Sequence, residues 1–338
     1  MKGVIFNSPR SMELSSIPDP KPGSGEVLIR VESAGVCGTD VHIYDGDFIG
    51  TYPVVPGHEF SGEIVELGPE VDGFHIGDRV AVSPNIPCYR CYFCKRGSFH
   101  FCRNLRAYGV HLPGGFEEFV SVRAENVFPI GELSFDEGAL IEPLSCVIHG
   151  VNLAEVRPGD KVLIFGMGPI GLLLSQVIKI SGSSEVIGVD LVEAKLELAE
   201  KLGVDKTFKG RAGLRGRILK DYPLGFDLVV DATGVPGVVE GLTSYVKDMG
   251  RVLYFGVCPK GSRISLDPFE VYKRELKIIG TFSLLAEFGP AIELVRSGRI
   301  DLESLISHRL PLEDFGRALD MMRNRETSMK IVIKPHMR

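Results

Sequence analysis

Residues 161–190 read KVLIFGMGPIGLLLSQVIKISGSSEVIGVD, and no other run in the chain constrains the fold as strongly. Residues 161–165 form an apolar, strand-like stretch. Gly166-Met167-Gly168-Pro169-Ile170-Gly171 follows at once. Ile170, Leu173, Leu174, Val177 and Ile178 then recur at helical spacing, and a second strand over 185–189 ends in Asp190. Strand, G-x-G-x-x-G, helix, strand and acid in that order are the fingerprint of a βαβ unit that binds a dinucleotide. Gly166 allows the tight turn, Gly168 lets a pyrophosphate approach the backbone, and Gly171 lets the helix pack on the strand. Pro169 and Ile170 open a helix whose free N–H groups and positive dipole end face the phosphates. Asp190 accepts hydrogen bonds from the adenine ribose and repels a 2′-phosphate, so NAD is expected over NADP. Lys195, one turn into the next helix, either reaches the ribose or is a solvated helix lysine.

The same texture continues. KVLIF, EVIGVD, DLVVDAT, GRVLYFGV and LKIIGTF alternate with helical patterns, which predicts an α/β domain with a doubly wound parallel sheet covered by helices. Thr233 and Gly234 in DATG, and Gly256 and Val257 at the end of GRVLYFGV, are expected to border the cofactor. The apolar run 162–180 is long enough to raise a membrane span, but Gly166, Gly168, Pro169 and Gly171 near its start fit the turn and helix instead.

Residues 1–145 differ. Short strand-like runs separated by Gly and Pro give an all-β texture. Within it, Cys88, Cys91, Cys94 and Cys102 form C-x2-C-x2-C-x7-C, a closed four-thiolate set that matches structural zinc. Disulfides are the alternative in a secreted protein, but the N-terminus lacks the apolar core of a signal peptide, and the cytoplasm is the expected compartment. Iron–sulfur motifs are spaced differently. A net charge of −6 argues against nucleic acid or an anionic membrane as partner.

A second ligand set is mixed. AGVCGTDVHIYDGDF and VPGHEFSG supply Cys37, His58 and Glu59, and ALIEPLSC supplies Glu142. Cys37 and His58 each have a glycine neighbour, as where backbone must bring ligands close. An incomplete sulfur, nitrogen and carboxylate set suits a catalytic zinc, which keeps one position open. Cys146 and Cys258 read as small buried residues, and His149 as a core or surface residue of the helix after Glu142.

With CGTD at 37–40, GHE at 57–59, GDRV at 77–80, the cysteine lobe, EPLS at 142–145 and GMGPIG at 166–171, the chain resembles the zinc-dependent medium-chain dehydrogenases of the alcohol dehydrogenase superfamily along essentially its whole length. The resemblance implies a GroES-like catalytic domain (1–148), a Rossmann NAD-binding domain (149–285) and a C-terminal segment (286–338) that returns to the first. It implies a catalytic zinc besides the structural one, an active site in the cleft between domains, and a homotetramer or homodimer. Cys37 and His58 are then constant zinc ligands, with Glu59 and Glu142 as the carboxylates, one or both of which yield to water as the cycle proceeds. Asp40 orients the His58 ring, Thr39 is the relay hydroxyl, and His42 completes a proton path to solvent. The EP glutamate is shared by the polyol and threonine branches, and the run EPLSCVIHG resembles the polyol and sugar dehydrogenases more, with hydride passing from a secondary alcohol of a polyol, sugar or sugar acid to NAD. L-threonine 3-dehydrogenase is the alternative. YGVHLPGGFEEF at 108–119 resembles a loop of sugar-acid dehydrogenases and offers His111 to the substrate. Ser283 stands where animal sorbitol dehydrogenases carry arginine, a departure from a sorbitol-specific enzyme.

Overall fold

One strand organises the first half of the chain. Glu26–Val36 (EVLIRVESAGV) is eleven residues long and buried along most of its length, because it pairs with neighbours on both sides. Edge to edge, its seven-stranded sheet runs Ile306–Pro311, Lys330–Lys334, Glu26–Val36, Glu59–Leu67, Arg79–Val82 and Val127–Pro129, with Phe119–Arg123 also paired to Glu26–Val36. A strand covered on both faces needs apolar residues at successive positions, which Val27, Leu28 and Ile29 supply. The computed structural model describes residues 1–47, 49–323 and 328–337.

The chain divides into two compact units, Met1–Ser145 with Leu284–Gly298 and Leu302–Arg338, and Cys146–Ser283 with Arg299–Asp301. The C-terminal segment joins the first unit for a packing reason. Phe315, on the helix Phe315–Arg323, lies 4.5 Å ring to ring from Phe116 and 6.0 Å from Phe6, all three fully buried. Burying a phenyl ring of this kind contributes roughly 1.5–3 kcal/mol. The divisions differ slightly from those expected. The first falls at Ser145/Cys146, inside the helix Ile141–Leu153, rather than after 148, and the second at Ser283/Leu284 rather than after 285. Residues 299–301 belong to the second unit because Gln176 exchanges two hydrogen bonds with the backbone of Asp301.

The second unit is built on six strands, all parallel, in the order Lys206–Lys209, Glu185–Asp190, Lys161–Phe165, Phe226–Asp231, Val246–Tyr254 and Lys277–Gly280. From Lys161–Phe165 the chain goes first to one side and then to the other. The order therefore reverses between Lys161–Phe165 and Phe226–Asp231, where an open α/β sheet leaves a crevice at its carboxyl edge. The apolar run 162–180 is the end of one strand and the helix Pro169–Ile180. Among the described residues no helix is long and apolar enough to cross a membrane.

A two-stranded stem, Asn85–Ile86 with Arg106–Ala107, brackets the cysteine lobe. The first strand of the chain reaches across to the loop after it, where Gly3 bridges Glu117. Glu117 is buried, and that burial pushes its carboxyl from an ordinary 4.5 up to about 8. An acid raised by folding stabilises the native state only while protonated. Its contribution is whole below pH 4.5 and is lost as pH rises to about 8. We expect the thermal midpoint of Glu117→Gln, followed by circular dichroism, to fall less across that range than the midpoint of the unaltered protein. Parallel curves would show that this carboxyl ionises freely in the native state.

Candidate active site and metal centres

The four lobe sulfurs converge. Cys88, Cys91, Cys94 and Cys102 place their sulfur atoms within 4.8 Å of one another. Short 3-10 turns at Cys94–Arg96 and Phe99–Phe101 bring them round, and the Cys88 N–H donates to the Cys102 sulfur at 3.2 Å. The backbone of Arg90 heads the groups that pull the Cys88 thiol down to about 6, while burial and the neighbouring thiols push Cys94 up to about 12. Sulfurs this close cannot all ionise without a cation among them. The donor set fits zinc.

The second group lies in the same unit. Cys37, His58 and Glu59 bring one ligand atom each within 4.8 Å of the others. Strand pairing accounts for this, because Gly35 stands opposite Glu59 across Glu26–Val36 and Glu59–Leu67, so Cys37 and His58 leave the same end of the pair. Cys37 caps the helix Gly38–Asp45, and Asp40 in its first turn accepts the Cys37 N–H at 2.8 Å. The other Asp40 oxygen lies 3.6 Å from His58 Nδ1, an ion-pair contact rather than a hydrogen bond. Burial pushes the His58 imidazole down, but Asp40 and Cys37 beside it hold it well above its ordinary value. Thr39 Oγ1 is 3.7 Å from the Cys37 sulfur, and His42 Nδ1 is 3.1 Å from Asp47 Oδ1. Glu59 is fully buried, and its Oε1 has no hydrogen-bond partner among the described residues. A half-buried thiol with a buried imidazole and a buried carboxylate fits an open zinc site.

Two findings go beyond the motifs. Glu142 is buried on the first turn of Ile141–Leu153 but stands outside the close group; its charge is the last of those that hold the Lys330 ammonium up. Lys330, which no motif singled out, opens the strand Lys330–Lys334 and pairs its buried ammonium with Glu59 Oε2. Its only trace in the sequence is a lysine before an apolar run, which ordinarily marks a solvated strand end.

The loop expected to carry a substrate contact packs on the ligand backbone. Gly115 N donates to Gly57 O at 2.7 Å. A Cβ at Gly109 would lie 2.4 Å from Gly57 backbone, and one at Gly114 would lie 2.2 Å from Gly57 O. Only glycine permits that approach. His111 sits in this loop with a buried Nδ1 that has no hydrogen-bond partner among the described residues; burial, then the Arg106 charge, lower its imidazole.

In the second unit the expected residues gather at the carboxyl edge of the sheet. Gly166 follows Lys161–Phe165 with φ +97°, and Gly168 precedes Pro169 at the helix start, with open space where a side chain would lie. A Cβ at Gly171 would lie 1.8 Å from Gly166 O, so only glycine lets helix and turn meet. Asp190 ties in the turn, accepting from Met167 N at 2.8 Å and Val192 N at 2.9 Å. Lys195 lies in the first turn of Glu193–Lys201. Thr233 Oγ1 donates to Asp231 at 2.6 Å, and the Gly234 N–H donates to the same carboxylate at 3.1 Å. Asp231, fully buried, is the anchor that the DATG motif hid. Gly256 lies against the Gly234 backbone, and Val257 beside it is exposed. The open space at Gly168 and the free helix start fit a pyrophosphate.

Two family models match, the alcohol dehydrogenase GroES-like domain over residues 23–132 and the zinc-binding dehydrogenase over residues 169–297. D-arabinitol dehydrogenase 1 of Uromyces fabae is 36% identical over 99% of this chain and 97% of its own.

The chain belongs to the zinc-dependent medium-chain dehydrogenases.

D-altritol 5-dehydrogenase of Agrobacterium fabrum is 39% identical over 93% of this chain and 94% of its own. An L-threonine 3-dehydrogenase of Rhizobium etli is 33% identical over 96% of each. A zinc-binding dehydrogenase from Sinorhizobium meliloti 1021, solved bound to NADP, superposes with a TM-score of 0.94 at 35% identity over 99% of both chains.

If the lobe holds metal, Cys94→Ser lowers elemental zinc from about two to about one per chain and lowers the melting temperature with it, since structural zinc contributes folding energy. Unchanged zinc content in the folded variant would refute the four-sulfur site.

Proposed function

We propose that this dehydrogenase oxidises a secondary carbinol of a polyol, sugar or sugar acid, with zinc at Cys37, His58 and Glu59 and NAD as hydride acceptor. The convergence of those three ligands, the imidazole and the carboxylate both buried, carries the proposal. The first unit then acts as the catalytic domain and the second as the NAD-binding domain. Zinc bound there supplies a Lewis acid that lowers the pKa of a hydroxyl, and the nicotinamide supplies the hydride acceptor.

The chain's own residues do the rest. Asp40 holds Cys37 and His58 in register from behind. Thr39, beside the Cys37 sulfur, is placed to take the substrate proton. His42 is three residues along the same helix, hence on a neighbouring surface position, and its contact with exposed Asp47 gives the proton an exit. Glu142 adds negative charge near the site. His111, on the loop packed against Gly57, offers a polar contact to a polyhydroxylated substrate. A simple-alcohol pocket needs no such group, and a site that bonds several hydroxyls rejects analogues lacking them. The two polyol dehydrogenases among the relatives support the same class, and L-threonine oxidation is the second reading because one relative carries it.

NAD is favoured because the Asp190 carboxylate is locked in place by two backbone N–H groups, each oxygen keeping a lone pair for a ribose hydroxyl. A 2′-phosphate there would meet a fixed like charge. Gly166, Gly168, Pro169, Ile170 and Gly171 cradle the pyrophosphate, with Thr233, Gly256 and Val257 toward the nicotinamide. The exposed edge of Lys277–Gly280 suits a homodimer or homotetramer joined through the sheet. Seven cysteines free of disulfides suit the reducing cytoplasm.

A spectrophotometric screen over polyols, aldonates, L-threonine and ethanol checks the substrate. Polyols or sugar acids give the highest kcat/KM, ethanol is poor, and His111→Ala lowers kcat/KM for the preferred compound. L-threonine at the head of the list would move the protein to the second reading. NAD should be used more than about tenfold better than NADP, and Asp190→Ser should narrow the gap. Equal use of both by the unaltered protein would refute the role of Asp190.

A further inference from the structure

Lys330 and Glu59 form an ion pair whose side chains are 7% and 1% exposed. The strand Lys330–Lys334 runs antiparallel to Glu26–Val36, with Ile331 opposite Val36, and this delivers the ammonium to the site. The pair has a socket. At Gly35, opposite Glu59 in register, a Cβ would lie 2.2 Å from Glu59 Oε2 and 3.0 Å from Lys330 Cε, so any larger residue would push the two apart. Glu59 is therefore divided. Oε2 is held in the ion pair with Lys330, while Oε1 is buried with no ion-pair or hydrogen-bond partner among the described residues; by hydrogen-bond geometry alone neither oxygen is satisfied.

The charges that face Lys330 explain why a cation belongs there. Cys37, Glu59 and Glu142 all act on it electrostatically. Three groups that can carry negative charge face one ammonium, surroundings that suit a divalent ion. An additional ligand oxygen on that ion would occupy the position a catalytic zinc keeps for substrate.

Resting on the metal centre proposed above, we propose that Lys330 fixes how Glu59 meets the ion. It holds Oε2, so Glu59 has Oε1 alone to offer. The carboxylate cannot clasp the metal with both oxygens, and the remaining position stays open for the substrate hydroxyl. Lys330 is a positioning residue; it acts through Glu59.

The test uses the full chain with zinc in the four-cysteine site and cobalt(II) loaded at the second site. Lys330→Met frees Oε2, so the coordination number rises. The visible cobalt absorption falls, and loss of cobalt to a chelator slows by about tenfold. Lys330→Arg keeps the charge but its fork takes both oxygens, and the loss quickens by about tenfold. These opposite shifts are the expected result. A lysine needed only for folding would weaken retention in both variants or change neither, and either pattern overturns the proposal. If Lys330→Met does not fold, Lys330→Gln replaces it, because it also removes the charge from Oε2 and must slow the loss; faster or unchanged loss overturns the proposal. A different failure marks the metal-centre reading itself: the unaltered protein takes up no cobalt beyond the four-cysteine site, and both ideas fall.

Discussion

Glu59 is a carboxylate with no access to water, and the first unit is arranged around that fact. Removing the partner of a buried charge costs roughly 3–5 kcal/mol, so a cation must be brought to it. The chain does this with a strand from its far end. Lys330 arrives because Lys330–Lys334 pairs with Glu26–Val36, the strand whose other edge presents Gly35 to Glu59. The same register sends Cys37 and His58 out of one end of the strand pair. A one-residue slip would turn Glu59 to the opposite face of the sheet and separate it from Cys37 and Lys330. Fold stability and ligand geometry therefore depend on one register, and the packing of Phe315 on Phe116 holds the C-terminal segment in place to maintain it.

The second unit solves a different problem by simpler means. Its strands are all parallel, so every strand ends at the same edge, and the motifs need only follow strands to be gathered there. Backbone hydrogen bonds then finish the site. Asp190 fastens the glycine turn, and Asp231 fastens the Thr233–Gly234 turn from a fully buried position. Two carboxylates, at the ends of the strands on either side of Lys161–Phe165, use backbone N–H groups as partners, which makes them rigid before any ligand arrives.

Much of this was legible residue by residue. The glycine turn with Asp190 announced a parallel sheet, because each glycine answers a local steric demand that the structure repeats, as at Gly171 against Gly166 O. The C-x2-C-x2-C-x7-C spacing announced the sulfur cluster, because fifteen residues of loop leave the thiols little freedom to part. Cys37, His58 and Glu59 were nameable for their ligand chemistry, although they lie on different strands and loops. Glu142 was grouped with them, but the helix start that carries it keeps it out of the close group.

Local spacing by itself determined both the dinucleotide fold and the four-sulfur lobe, since each is closed by residues near one another in the chain. Lys330 lies far beyond Glu59 in sequence, and nothing in KIVIKP distinguishes a buried ammonium from a solvated one. Only the folded sheet decided its role, along with the docking of the 109–115 loop on Gly57. Those contacts depend on strand register and on empty space at glycines whose neighbours come from remote segments, and desolvation has no local sequence pattern.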